Sequence, residues 1–107
     1  MKGFGGGLQQ MMRQANQMQA RMKKLQEELA TREFEGGAGG GAVLVKVNGD
    51  NKLLSIQIKP DVVSSSDLEM LQDLIVVATN EAIKMAKDTS QQEMSKITGG
   101  MNFPGLL

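Results

Sequence analysis

The chain has 107 residues, room for one domain at the usual length of about 100–200 residues. It contains no Cys, His, Trp or Tyr, which removes disulfides, thiol nucleophiles, the usual transition-metal ligands and the commonest general base. Twelve Lys and Arg offset twelve Asp and Glu, so the total describes neither a simple polycation nor an acidic solvating chain.

Glycines concentrated in residues 3–7, 36–41 and 99–105 divide the chain into three blocks, since each costs about 1 kcal/mol in a helix relative to alanine. Residues 1–7 are expected to be a flexible Gly-rich start, and residues 8–30 are predicted as a helix. Its apolar positions are Leu8, Met11, Ala15, Met18, Met22, Leu25 and Leu29, an unbroken 3–4 alternation. Such a heptad stripe asks for a partner helix, inside the chain or from a second copy. Met11, Met18, Met22, Leu25 and Leu29 are the candidate dimer-interface residues. Core packing also explains the methionines better than a thioether metal site does.

Residues 32–59 read as a three-stranded antiparallel meander. Val43, Val45 and Val47 alternate with Leu44 and Lys46, and Leu54, Ile56 and Ile58 with Ser55 and Gln57. Asn48-Gly49-Asp50-Asn51 between them is a hairpin signal. Arg32 to Glu35 gives a shorter strand before the glycines.

A second helix is predicted over residues 66–98, with Ser66 and Glu69 as a capping box and Gly99-Gly100 as the stop. Its apolar stripe is wide as far as Met85 and thin beyond it, so the first half should pack on the sheet. Residues 99–107 form an expected mobile tail. The expectation is a single α+β domain: long N-terminal helix, three-stranded antiparallel sheet, long C-terminal helix.

The zero net charge conceals a segregation. Residues 1–24 hold Lys2, Arg13, Arg21, Lys23 and Lys24 and no acid, whereas residues 61–73 hold Asp61, Asp67, Glu69 and Asp73 and no base. At about 100° per residue, Arg13, Arg21, Lys23 and Lys24 fan out opposite the apolar seam, with Gln10, Gln14 and Gln17 on the same side. Guanidinium, ammonium and amide groups on one exposed helix face suit phosphates and base edges. A solvated coiled-coil exterior has the same composition.

Catalytic motifs fail on inspection. Gly37 to Ala42 satisfies a dinucleotide-binding string, but a strand pattern follows where the mechanism needs a helix N-terminus to receive the pyrophosphate. No nucleophile is matched to a base, so no enzymatic activity, cofactor, metal or small-molecule substrate is expected. The longest purely apolar run, Leu74 to Ala78, is five residues where a membrane span needs about twenty, and the start has no apolar signal core. A soluble cytoplasmic protein without a membrane partner is the expectation.

Several strings resemble one family. Glu69 to Ala82 (EMLQDLIVVATNEA) is similar to the signature of the YbaB/EbfC family of bacterial nucleoid-associated proteins. Met12 to Gln19, the glycines leading to Val47-Asn48-Gly49, and Lys96 to Gly105 are similar as well, in the right order across nearly the whole chain. The resemblance implies an intertwined homodimer with projecting helical arms. It also implies DNA binding with low or relaxed sequence preference, and a nucleoid location with a role in nucleoid organisation or gene expression. The first and last helices would contact DNA, which points to Arg13, Arg21, Lys23 and Lys24, then Lys84, Lys87 and Lys96. The alternative is a coiled-coil structural or adaptor dimer that binds other proteins.

Overall fold

The structure, a computed structural model, describes residues 2–64 and 66–99, with side chains from residue 7 onward. The element order is α1 (Lys2–Thr31), β1 (Glu33–Ala38), β2 (Val43–Asn48), β3 (Leu53–Ile58), α2 (Pro60–Ser64) and α3 (Leu68–Thr98). The expected tail therefore lies, from residue 100 on, outside the described residues.

The N-terminal helix begins well before Leu8. Its 30 residues, about 45 Å at 1.5 Å each, take in the glycines at 3 and 5–7. Glycine taxes a helix without forbidding it, and no proline interrupts this one. Once the turns from Gln9 onward exist, each added residue gains a hydrogen bond without a new nucleation cost.

The three strands form an antiparallel sheet in the order β1-β2-β3. Alternation on the central strand does the sorting: Val43, Val45 and Val47 point inward and are fully buried, each contributing roughly 1.5–3 kcal/mol. They stand opposite Ala38, Gly36 and Phe34 of β1, and on the other side opposite Ile58, Ile56 and Leu53 of β3, with a bulge between Lys46 and Val47. The β2–β3 turn is pinned by Asn48, whose Oδ1 accepts from the Asp50 and Lys52 amides at 2.9 and 3.0 Å.

β1 runs further than Arg32–Glu35, continuing through Gly36 and Gly37 to Ala38. Glycine is required there for packing. Ala78, Ala82 and Ala86, spaced by four on α3, present a flat small-residue face to the sheet, and a Cβ on Gly36 would run into the Ala78 carbonyl and the Ala82 amide. Of the five glycines only Gly39, Gly40 and Gly41, all at positive φ, lie in the β1–β2 turn, which Ala42 closes by donating its amide to the Gly39 carbonyl at 3.3 Å.

Two short features were illegible or misplaced in the sequence. Pro60 opens the one-turn α2, where its missing N–H costs nothing. The N-cap of α3 is Asp67 rather than Ser66: its carboxylate accepts the Met70 amide at 2.9 Å, while Ser66 sits at φ 63° outside the helix. Asp67→Ala should therefore cost about 0.5–2 kcal/mol in urea unfolding, whereas a Ser66→Gly change, which suits a positive φ, should cost nothing or stabilise.

α1 packs against α3. Leu29 shares the core cluster with Ala86, and Met22 and Met94 are each buried further along their helices, outside that cluster. The two helices thus run antiparallel and continue side by side past the sheet. This draws the molecule out to 78 × 20 × 18 Å.

Candidate nucleic-acid interface

The seam and the polar face of α1 have separate fates. Met22 and Leu29 are buried and Leu25 is half-buried within a single chain, so the lower seam finds its partner helix in α3. Met18 is half-buried and Met11, at 67% exposure, is open to solvent. Residues 7–17 are all exposed, so this part of α1 projects as a helix without a neighbour among the described residues.

Every polar candidate on α1 is exposed: Gln10, Arg13, Gln14, Gln17, Arg21, Lys23 and Lys24. The apolar seam on the opposite face fixes this arrangement, because a 3.6-residue period that buries Met22, Leu25 and Leu29 turns the intervening positions outward. Gln9 and Asn16 belong to the same face and were missed in the sequence. With Met12, Arg13, Gln17 and Ala20 they line a shallow groove along the helix. The available signal was the spacing of four from Gln9 to Arg13 and from Arg13 to Gln17. The strip from Gln9 to Lys24 is about 22 Å long and closes at Glu27 and Glu28. That length matches about six base pairs of duplex at 3.4 Å each.

The bases of α3 are not gathered in this way. Lys84 and Lys87 are exposed and lie about 60° apart around the helix, whereas Lys96 lies about 180° from Lys87. Lys96 is also engaged, its Nζ donating to Glu93 Oε1 at 3.2 Å.

The acidic stretch sits away from the basic strip. Gly39, in the β1–β2 turn, packs beneath Leu74 near the start of α3, while Gly49, in the β2–β3 turn at the other end of β2, abuts the Leu29 carbonyl of α1. Asp67 and Glu69 at the first turn of α3 therefore belong to the opposite end of the sheet from the arm, where they complement the helix dipole. Among the described residues no three acids converge as a metal site, and no helix is long and apolar enough to cross a membrane.

A helical arm with an exposed basic face stands on a small α+β body, and comparison with known proteins gives this arrangement a family. The sequence pattern of the YbaB/EbfC DNA-binding family matches residues 4–101. The chain is 53% identical over 106 residues to a nucleoid-associated protein of Clostridium novyi, covering 97% of this chain and 93% of that one. It is 51% identical to a nucleoid-associated protein of Pelotomaculum thermopropionicum, covering 96% and 98%. The fold is similar to that of an uncharacterized protein from Helicobacter pylori, with a TM-score of 0.68 and 24% identity over 88% of this chain and 92% of that one. The chain belongs to the YbaB/EbfC DNA-binding family.

Proposed function

We propose that the protein is a nucleoid-associated protein that binds duplex DNA as a homodimer through the exposed face of α1, and in doing so influences nucleoid organisation and gene expression. The observation that carries this is the unbroken strip of Arg13, Arg21, Lys23 and Lys24, all exposed and without an acid until Glu27. Phosphate contacts by these four supply the affinity, and the amides of Gln9, Gln10, Gln14, Asn16 and Gln17 are placed to reach base edges. The only aromatic residue type is Phe, so stacking platforms for single strands are poor and a duplex is the better ligand. Lys84, Lys87 and Lys96 add charge from α3, with Lys96 the weakest of the three because Glu93 holds it. Cytoplasmic, nucleoid-bound protein is the matching location.

Gel shifts on several duplexes of unrelated sequence test this directly. Similar affinities across them are expected; retention of only one sequence would contradict the relaxed specificity, and retention of none would remove the function.

Dimerisation has its own support. α3 packs chiefly on β1 and β2, so the inward side of β3 is left open, with Leu54 and Ile56 about 40% exposed. Val76, Val77 and Met85 of α3 are exposed as well. Apolar surface of this kind on a small monomer marks an interface. Leu8 and Met11, on the seam side of the arm, are exposed too. Ile56→Lys should give a folded monomer by sedimentation at micromolar concentration. Its DNA affinity should fall by about 10²-fold or more, because the second arm is gone. An unchanged dimer would show that the interface lies elsewhere.

A further inference from the structure

A second polar site is built where the β2–β3 turn meets α3. Gly49 and Asn51 of the turn and Ile83, Ala86, Lys87 and Ser90 of α3 enclose a cleft of about 220 Å³. The turn is held rigidly there: the Gly49 amide donates to the Leu29 carbonyl and the Asn51 amide to the Asn48 carbonyl, both at 3.0 Å. Asn51 takes a left-handed conformation at φ 61°. The polar lining is one ammonium, one hydroxyl and one carboxamide. No carboxylate lines the cleft, and Lys87 makes no ion pair among the described residues. The volume falls below the roughly 300–1,000 Å³ of small-molecule pockets, which leaves a compact anion as the fitting ligand. Position supplies the rest. Lys84, exposed one turn before Lys87 and about 60° from it around α3, adds a second cation beside the cleft, which lies on the α3 side of the docked turn.

We propose that this cleft seats a phosphate group, with Lys87 Nζ supplying the charge and Ser90 Oγ and the Asn51 carboxamide donating hydrogen bonds, and that the phosphate comes from the backbone of a bound DNA duplex. The β2–β3 turn is then a third DNA-contacting element beside the two helices. This rests on DNA binding by α1, and the experiment separates the two.

Amide spectra of the full-length protein are recorded with a short duplex and, separately, with inorganic phosphate. The duplex should shift the amides of residues 49–52 and 90 together with those of α1. Lys87→Gln should weaken duplex binding about 3- to 10-fold and make the dependence of log Kd on log salt shallower by about one for each phosphate it no longer neutralises. Ser90→Ala and Asn51→Gly, the latter compatible with the positive φ, should weaken binding less and leave that slope unchanged, because they remove no charge. Shifts confined to α1, with residues 49–52 still, would overturn the cleft and leave the α1 reading standing. So would variants that disturb sedimentation of the dimer and spare DNA binding. Shifts at the turn with inorganic phosphate but none there with the duplex would keep the phosphate and overturn its source. A duplex that shifts nothing would fail the α1 reading, and the phosphate arm alone would then decide the cleft.

Discussion

Arg21→Glu combined with Lys24→Glu should abolish retention of duplex DNA near physiological salt while leaving the fold intact. Both side chains are exposed, so reversal disturbs no packing. Each chain loses two of the four cations on the strip and gains two anions beside the remaining ones. In a dimer the change applies twice. So large a swing in charge removes the counterion-release term that dominates non-specific binding, and a fall of more than about 10²-fold is expected. An adaptor protein would keep its partners and show no DNA defect. Circular dichroism and sedimentation identical to wild type are required alongside, since a misfolded variant would mimic the result.

Gly36→Val should have the largest effect on stability. The atoms that a side chain there would meet are the Ala78 carbonyl and Ala82 amide of α3. Backbone in a helix interior cannot swing aside as a flexible side chain can, so α3 must lift from Val45 or β1 must leave the sheet. Either movement opens the cluster formed by Val43, Val45, Val47, Ala78, Ala82 and Ala86. Overpacking costs typically 1–3 kcal/mol where side chains yield, and a cost of about 3 kcal/mol or more is expected where they cannot. At 4–8 °C per kcal/mol for a domain of this size, the midpoint should drop by at least about 12 °C. A drop of only a few degrees would mean that α3 sits further from the sheet. Gly40→Ala offers a contrast: it has open space around it but a φ of 67°, so its cost is local strain alone.

These two positions also mark what sequence reasoning reaches. The outward basic face was legible because helical period and charge are both local. One stripe of Met and Leu at heptad spacing fixes which residues face away. The partner of that stripe was not legible, since a seam of Met22, Leu25 and Leu29 is satisfied equally by a helix of the same chain or of another. The structure places α3 there. Gly36 was hidden for a related reason. Within a six-residue segment of five glycines and one alanine it reads as turn, and its role depends on alanines more than forty residues away. Ser66 and Asp67 are both good capping residues, and the choice between them lay in the backbone, where Ser66 takes a positive φ and Asp67 reaches the Met70 amide. The cleft beside Asn51 was out of reach altogether: turn and helix meet only in three dimensions.

The most direct test of DNA binding by the α1 face is the slope of log Kd against log salt for a duplex of about 20 base pairs between 50 and 200 mM. Four exposed cations per chain give eight in a dimer. Engagement of between half and all of them predicts a slope of about −4 to −7, from the −0.9 contributed by each neutralised phosphate. A slope near zero, or a slope unchanged by the Arg21 and Lys24 reversals, would contradict the assignment of DNA binding to this face.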